Sequence, residues 1–256
     1  YIVKNRLSTT NDLSYSKDTS TGELTLTASN FEIRGQSDVA HNLIISGKSN
    51  SIYGGDLADT IEELNSNCSN NNIYGGAGND TIILRGGSSA YGEEGDDIFI
   101  AYSGVCYGGI GNDTITRYGG SGVSYGGEGD DVFNIYSSNA KYFGEEGNDT
   151  FNIIGSLSGI VIDGGSGTNN VTGEVGSNTT INVVGANSGS VSLVSGEEQS
   201  VMINGINYTV STPSSAATVI YRINDSGQIS FSVNSGSVII KGDVNKKHNV
   251  ELGNNV

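Results

Sequence analysis

Tryptophan is absent from this 256-residue chain, which has one proline, one methionine, two cysteines and two histidines. Two cysteines cannot build a disulfide framework. Two histidines leave little for a Ser–His–Asp triad or a transition-metal centre. Positive charge is also scarce. Lys and Arg total 12 against 28 Asp and Glu, a net charge of −16. Such a surface repels phosphates, so nucleic acid and anionic membranes are poor partners. No apolar run approaches the roughly 18 residues of a membrane-spanning helix, so no membrane insertion is expected. The opening Tyr1-Ile2-Val3-Lys4-Asn5-Arg6 has no apolar stretch or cleavage site, so no signal peptide is read there. Strong helix formers give way to 39 Gly and many Asn, Asp and Ser, which argues against an all-α protein. The length still suffices to bury a core.

What is present is a repeat. Seven segments align: IYGGDLADTIEE (52–63), IYGGAGNDTIIL (73–84), AYGEEGDDIFIA (90–101), CYGGIGNDTITR (106–117), SYGGEGDDVFNI (124–135), YFGEEGNDTFNI (142–153) and IDGGSGTNNVTG (162–173). Their first glycines stand at 54, 75, 92, 108, 126, 144 and 164, in steps of 21, 17, 16, 18, 18 and 20. A fixed short period means stacked structural units. The glycines permit the positive φ of tight turns. The acid in each segment lands at the same place: Asp59, Asp80, Asp97, Asp113, Asp131 and Asp149. Stacked about 4.8 Å apart, such acids would repel each other by roughly 1 kcal/mol per pair in water.

These segments resemble the RTX, or hemolysin-type, calcium-binding repeat, G-G-x-G-x-D-x-U-x, where U is a large apolar residue. Residues 75–83, 108–116 and 126–134 match best, and the likeness covers roughly 50–173. It implies a parallel β-roll with calcium held between successive Gly-Asp turns. The implied metal residues are Asp59, Gly76, Gly78, Asp80, Gly95, Asp97, Gly109, Gly111, Asp113, Gly127, Gly129, Asp131, Gly147 and Asp149. About four to six ions are expected, each wanting six to eight oxygens. There are departures: Leu57 for a glycine, Glu93 and Glu145 for second glycines, and Asn169 for the aspartate of the seventh segment.

One motif per 18 residues or so implies a one-sided roll. Acidic turns stack on one edge, and plain turns such as Gly86-Gly87-Ser88, Ser121-Gly122 and Ser137-Ser138-Asn139 stack on the other. Strand alternation puts Ile61, Ile82, Phe99, Ile115, Phe133, Phe151 and Val171 inside. By the same parity Tyr53, Tyr74, Tyr91, Tyr107, Tyr125 and Phe143 form an outward aromatic ladder. It is either a stacking device for the coils or a platform for glycans or a partner. Cys106 falls inside; Cys68 lies two coils earlier, about 9.6 Å by strand spacing, beyond disulfide reach. Two free thiols are expected.

The ends repeat each other. Residues 1–52 align with 208–256: Tyr1 with Tyr208, Tyr15 with Tyr221, Gly22 with Gly227, Ile33-Arg34-Gly35 with Ile240-Lys241-Gly242, and His41 with His248. The offset of 205–207 residues reads as one period of a tandem array plus a quarter of the next, with Tyr-Gly-Gly expected after Val256. The alternatives are a duplicated motif capping both ends, or subunits that complete each other's split module. The organisation expected is the C-terminal part of a duplicated β module (1–40), the roll (41–173), a complete β module (174–245) and the start of a following roll (246–256). Candidate strands after the roll are 179–185, 190–195, 199–204, 206–211, 218–223, 228–233 and 237–241. Asn224–Gly227 and Asp18–Gly22 are hairpin turns. The fold class is therefore all-β: a parallel β-roll with calcium-loaded turns on one edge, flanked by β-sandwich-like or irregular solenoid modules.

No catalytic constellation is found. There is neither a Gly-x-Ser-x-Gly elbow nor a His-Glu-x-x-His helix, and nearly all carboxylates cluster in the repeat loops. The chain is expected not to be an enzyme. The first expectation is a calcium-rigidified structural repeat module of a large secreted or cell-surface bacterial protein, such as an adhesin stalk, fibre or surface layer. The resemblance implies type I export and folding on calcium outside the cell. The second expectation is an adhesin module binding glycans or other copies of itself. The third is the export module of an RTX lipase, protease or epimerase, against which the duplicated ends count.

Overall fold

The protein was analysed as a computed structural model that describes residues 1–5, 13–21, 23–175, 180–182, 188–193, 198–203, 206–212, 217–223, 228–233, 238–242 and 250–252. Among these residues every regular element is a β-strand, and no helix is long and apolar enough to cross a membrane. The chain forms two compact units, Tyr1–Glu128 and Gly129–Val256. The boundary between them falls inside the stretch read as the roll.

In the first unit each coil contributes one strand to each of two sheets. One sheet runs Phe31–Arg34, Ser51–Gly55, Ser69–Ala77, Gly87–Glu94, Val105–Ile110 and Val123–Glu128, all parallel. The other runs Leu24–Thr27, Asn42–Ser46, Thr60–Glu63, Thr81–Leu84, Ile98–Ala101 and Thr114–Arg117, again parallel. Two antiparallel strands, Ile2–Asn5 and Ser14–Lys17, end the two sheets. This is a β-solenoid of the parallel-roll kind. Register follows the sequence repeat: Tyr53, Tyr74, Tyr91, Tyr107 and Tyr125 lie opposite one another in turn.

The second unit opens the same way. Val132–Ile135, Thr150–Leu157 and Asn170–Val175 are parallel neighbours, as are Lys141–Glu146, Val161–Asp163, Thr180–Asn182 and Glu198–Ile203. Strands are found within all seven spans expected after the roll; residues 179, 183–185, 194–195, 204 and 237 of those spans lie outside the described residues. Within this unit they extend the two rows of strands, with less regular pairing. The pairing turns antiparallel at Ala217–Ile223 and at Ile206–Ser211. The proposed turn at 224–227 and His248 lie outside the described residues. In the copy, Asp18 accepts the Ser20 amide at 2.7 Å, an Asx turn.

The core sits between the sheets. Ile61, Ile82, Phe99 and Ile115 are fully buried in the first unit, and Phe133, Phe151 and Val171 in the second. In the other sheet of the first unit the inward residues are Ile52, Ile73, Ala90, Cys106 and Ser124, all buried. A fully buried Leu, Ile or Phe contributes about 1.5–3 kcal/mol, so this double ladder holds the coils together. Cys68 and Cys106 are free and buried, as expected. Burial pushes the Cys106 thiol up to about 11, so it is inert packing.

Two inward positions hold charges where neighbouring coils hold apolar side chains. Glu63 and Arg117 occupy the places of Leu84 and Ala101, fully buried. Glu63 is satisfied by the Asn71 side chain at 3.0 Å, the Arg85 and Gly86 amides at 3.0 and 2.7 Å, and the Ser88 hydroxyl. Arg117 donates to the Val123 and Gly104 carbonyls at 3.0 and 3.2 Å and to Ser124 Oγ. Buried charge without such partners would cost several kcal/mol. Here the charges pin the plain-turn edge. Asn50 and Asn71 add to that edge: the Phe31 amide donates to Asn50, the Asn50 amide to Asn71, and the Asn71 amide to Ser88 Oγ.

Candidate functional site

The acidic edge is built by backbone first. Gly76, Gly78, Gly95, Gly109, Gly111, Gly127, Gly129 and Gly147 all have φ between +102° and +137°. No β-carbon is tolerated there without strain. Glu93 and Glu145 adopt the same form at φ +81° and +76° despite their side chains. The first turn differs: neither Gly55 nor Leu57 has positive φ, so the departure at Leu57 is a departure in conformation.

The aspartates are not a solvated face. Asp59, Asp80, Asp97, Asp113, Asp131 and Asp149 are at most 2 % exposed. Each turns back into its coil. Asp59 Oδ1 accepts the His41 amide at 2.6 Å, and Asp80 Oδ1 the Asp59 amide at 2.7 Å. Asp97 Oδ1 accepts the Asp80 amide at 2.7 Å, and Asp113 Oδ1 the Asp97 amide at 2.8 Å. In the second unit Asp149 Oδ1 accepts the Asp131 amide at 3.0 Å. The ladder is thus a chain of coil-to-coil hydrogen bonds, one per turn.

The second carboxylate oxygen has a different fate. Oδ2 of Asp59, Asp80, Asp97 and Asp149 is buried with no hydrogen-bond donor. In each case it lies against the first glycine of its own motif, where a β-carbon on Gly54, Gly75, Gly92 or Gly144 would overlap it. Burial accordingly pushes Asp80 up to about 7, Asp97 to about 6, Asp113 to about 7 and Asp149 to about 6. Asp59 is raised too, again first by burial. Repulsion between successive turns is present at Asp80, from Asp97 and Asp59, but ranks below burial. The expected turn-to-turn repulsion is thus joined by a larger cost, desolvation.

The seventh turn shows what the others lack. Asn169 accepts the Asp149 amide through Oδ1 at 2.8 Å, as an aspartate would. Its Nδ2 donates to the Gly164 and Ser166 carbonyls at 2.8 and 3.3 Å. That nitrogen stands where the other turns place Oδ2, five residues past the first glycine. An aspartate there points an acceptor at acceptors. Such a place wants a proton or a cation.

A second, outer ladder escaped the sequence reading. From the second turn on, the residue before the aspartate also bonds across coils: the Asp96 amide to Asn79 Oδ1 at 3.1 Å, and the Asn112 amide to Asp96 Oδ1 at 2.7 Å. In the second unit the Asn148 amide reaches Asp130 at 2.7 Å and the Thr168 amide Asn148 at 2.8 Å. The Asn-Asp and Asp-Asp pairs in the motif carry the signal, since only short acceptors suit both places.

The aromatic ladder is half-buried. Neighbouring rings from Tyr53 to Tyr125 stack with centroids 4.7–4.9 Å apart and planes within 11°. The Arg34 guanidinium covers Tyr53 at 3.9 Å. Both faces of Tyr74, Tyr91 and Tyr107 are therefore taken by neighbours.

Among the described residues no three His, Cys, Asp or Glu side chains converge on one point. A cation at this edge would take its remaining oxygens from backbone carbonyls, which suits a hard ion such as calcium. Family models, curated proteins and solved structures were compared with this chain, and none matches.

Proposed function

We propose that this chain is a calcium-binding structural repeat module of a large secreted or cell-surface bacterial protein of RTX type. The observation that carries this reading is the buried Oδ2 of Asp59, Asp80, Asp97 and Asp149, without a donor in the place where Asn169 presents a nitrogen. The residues that would hold calcium are Asp59, Asp80, Asp97, Asp113, Asp131 and Asp149, with the carbonyls of the positive-φ glycine turns. Bound calcium supplies the positive charge that lets buried carboxylates stay ionised. The chain's own part is to fix each carboxylate by its Oδ1 bond and to exclude water around Oδ2. Each site filled at about 100 times its dissociation constant adds about 2.7 kcal/mol. Four such sites would match the whole stability of an ordinary domain, about 5–15 kcal/mol. Folding then waits for calcium, which is abundant outside cells. A stalk, fibre or surface layer is the setting that a rigid, non-enzymatic solenoid serves.

The rival reading, a glycan platform on the tyrosines, is disfavoured by the stack itself. Sugars dock on ring faces, and here the inner rings spend both faces on each other.

The test is far-UV circular dichroism during a calcium titration of a chelated sample. β-signal should rise cooperatively with calcium and not with magnesium. A chain fully folded in chelator would reduce the acidic ladder to a self-sufficient hydrogen-bond device.

A further inference from the structure

The described strands at the two ends of the chain share one pairing pattern in two states of completion. In the N-terminal copy Ile2 lies opposite Arg34, and Tyr15 opposite Leu26. The aligned residues of the C-terminal copy pair alike, Thr209 opposite Lys241 and Tyr221 opposite Phe231. The parallel neighbour also matches, Leu24 beside Leu43 and Ile229 beside Val250. What differs is the outer edge. Ile206–Ser211 is flanked by Glu198–Ile203, and Ala217–Ile223 by Ser188–Leu193. Ile2–Asn5 and Ser14–Lys17 end their sheets, with no such neighbour among the described residues. Exposure follows suit. Tyr208 and Tyr221 are each 1 % exposed, while Tyr1 is 39 % and Tyr15 74 %. Ile2 is also open.

We infer that this open edge docks the strands Ser188–Leu193 and Glu198–Ile203 of a second copy of this chain, joined head to tail so that residue 1 of one copy follows residue 207 of the other. The C-terminal copy displays the missing strands and their register. Glu198 lies opposite Ser211, which aligns with Lys4, so the transferred register sets Glu198 opposite Lys4, unlike charges facing across an antiparallel pair. An open edge with exposed aromatic and aliphatic side chains otherwise invites aggregation. In a single chain Ser188–Leu193 and Glu198–Ile203 are already engaged by Ala217–Ile223 and Ile206–Ser211. Free chains therefore have nothing to offer the edge, and covalent succession supplies it. Nothing in this pairing depends on a cation.

The test is a fused polypeptide, residues 1–207 followed by 1–256, compared with the single chain by hydrogen exchange, both with calcium present. The amides of Ile2–Asn5 and Ser14–Lys17 in the second copy should slow to the rates of Ile206–Ser211 and Ala217–Ile223. Tyr15→Ser in the second copy should then lower the melting temperature by about 5 °C. The same change should leave the single chain within about 1 °C, because Tyr15 is exposed there. A fused chain that fails to fold, exchanges fast at that edge, or ignores Tyr15→Ser overturns the inference. Loss of calcium dependence in either chain would touch only the cation reading.

Discussion

Asp97 and Asn169 occupy equivalent places in their turns, yet one leaves an orphan oxygen and the other leaves nothing unsatisfied. Both accept the amide of the preceding acidic turn through Oδ1. Only Asn169 turns its second atom into a donor, toward Gly164 and Ser166. The backbone beneath is the same kind of turn, Gly95 at φ +131° and Gly167 at +94°. The difference separates two jobs that the motif merges. Oδ1 stitches coils together regardless of charge. Oδ2 makes the stitching conditional on a proton or a cation.

The largest test of that division is pH. Asp80, Asp97, Asp113 and Asp149 are raised to about 7, 6, 7 and 6 by burial. A folded state that holds protons more tightly than the unfolded chain is favoured at low pH. In chelator the stability these groups contribute should be fully present below about pH 4. It should fall as pH rises through about 7. Calcium, which competes with those protons, should flatten or invert the slope. Melting curves between pH 4 and 8, with and without calcium, read it directly; a flat profile in chelator would mean that the acids are hydrated.

Next in size is Asp97→Ala. It strips the acceptor from the buried Asp80 amide. An orphaned buried amide costs about 1–3 kcal/mol, whether calcium is present or not. Asp97→Asn should separate the two jobs. It keeps Oδ1 and supplies the donor, so the chelated protein gains about 1–2 kcal/mol while the calcium response of that coil weakens. Asn169→Asp should run the comparison backwards, destabilising the chelated protein and adding a titrating group. Denaturant melts in chelator and in calcium check all three. If Asp97→Asn behaves like Asp97→Ala, the likeness to Asn169 fails.

Much of this was legible beforehand. The glycine spacing gave the turn edge, and alternation gave the core ladder from Ile61 to Ile115 and the inward Cys106. The tyrosine ladder was legible as a row, but its half-burial came from ring stacking and the Arg34 cap, which parity does not encode. The direction of the aspartate side chains was not legible. Spacing places an acid at a turn, but whether it faces water or its own first glycine depends on the missing β-carbon of Gly75 or Gly92. Glu63 and Arg117 carried a signal that was passed over: parity puts them inside, and charges at inward positions demand the partners found in Asn71, Ser88 and Ser124. The matching ends were legible as sequence, and their unequal burial only as structure, because it depends on which neighbouring strand is present.

The smallest effect is expected where a turn breaks its own pattern. Glu93 lies in register with Gly76 and Gly109, and it shares their positive φ at +81°. A side-chain-bearing residue in that region is strained by about 1–2 kcal/mol. Glycine would relieve the strain but leave a more flexible unfolded chain, which takes back about 0.4–1 kcal/mol. Burial already raises the Glu93 carboxyl, with Glu94 adding to it, so removing the acid also relieves a repulsion. Glu93→Gly should therefore stabilise by about 0.5–1 kcal/mol, equally in chelator and in calcium. Glu145→Gly, at φ +76°, should do the same in the second unit. A gain confined to calcium would instead tie the residue to the cation site and make its side chain, not its backbone, the feature under test.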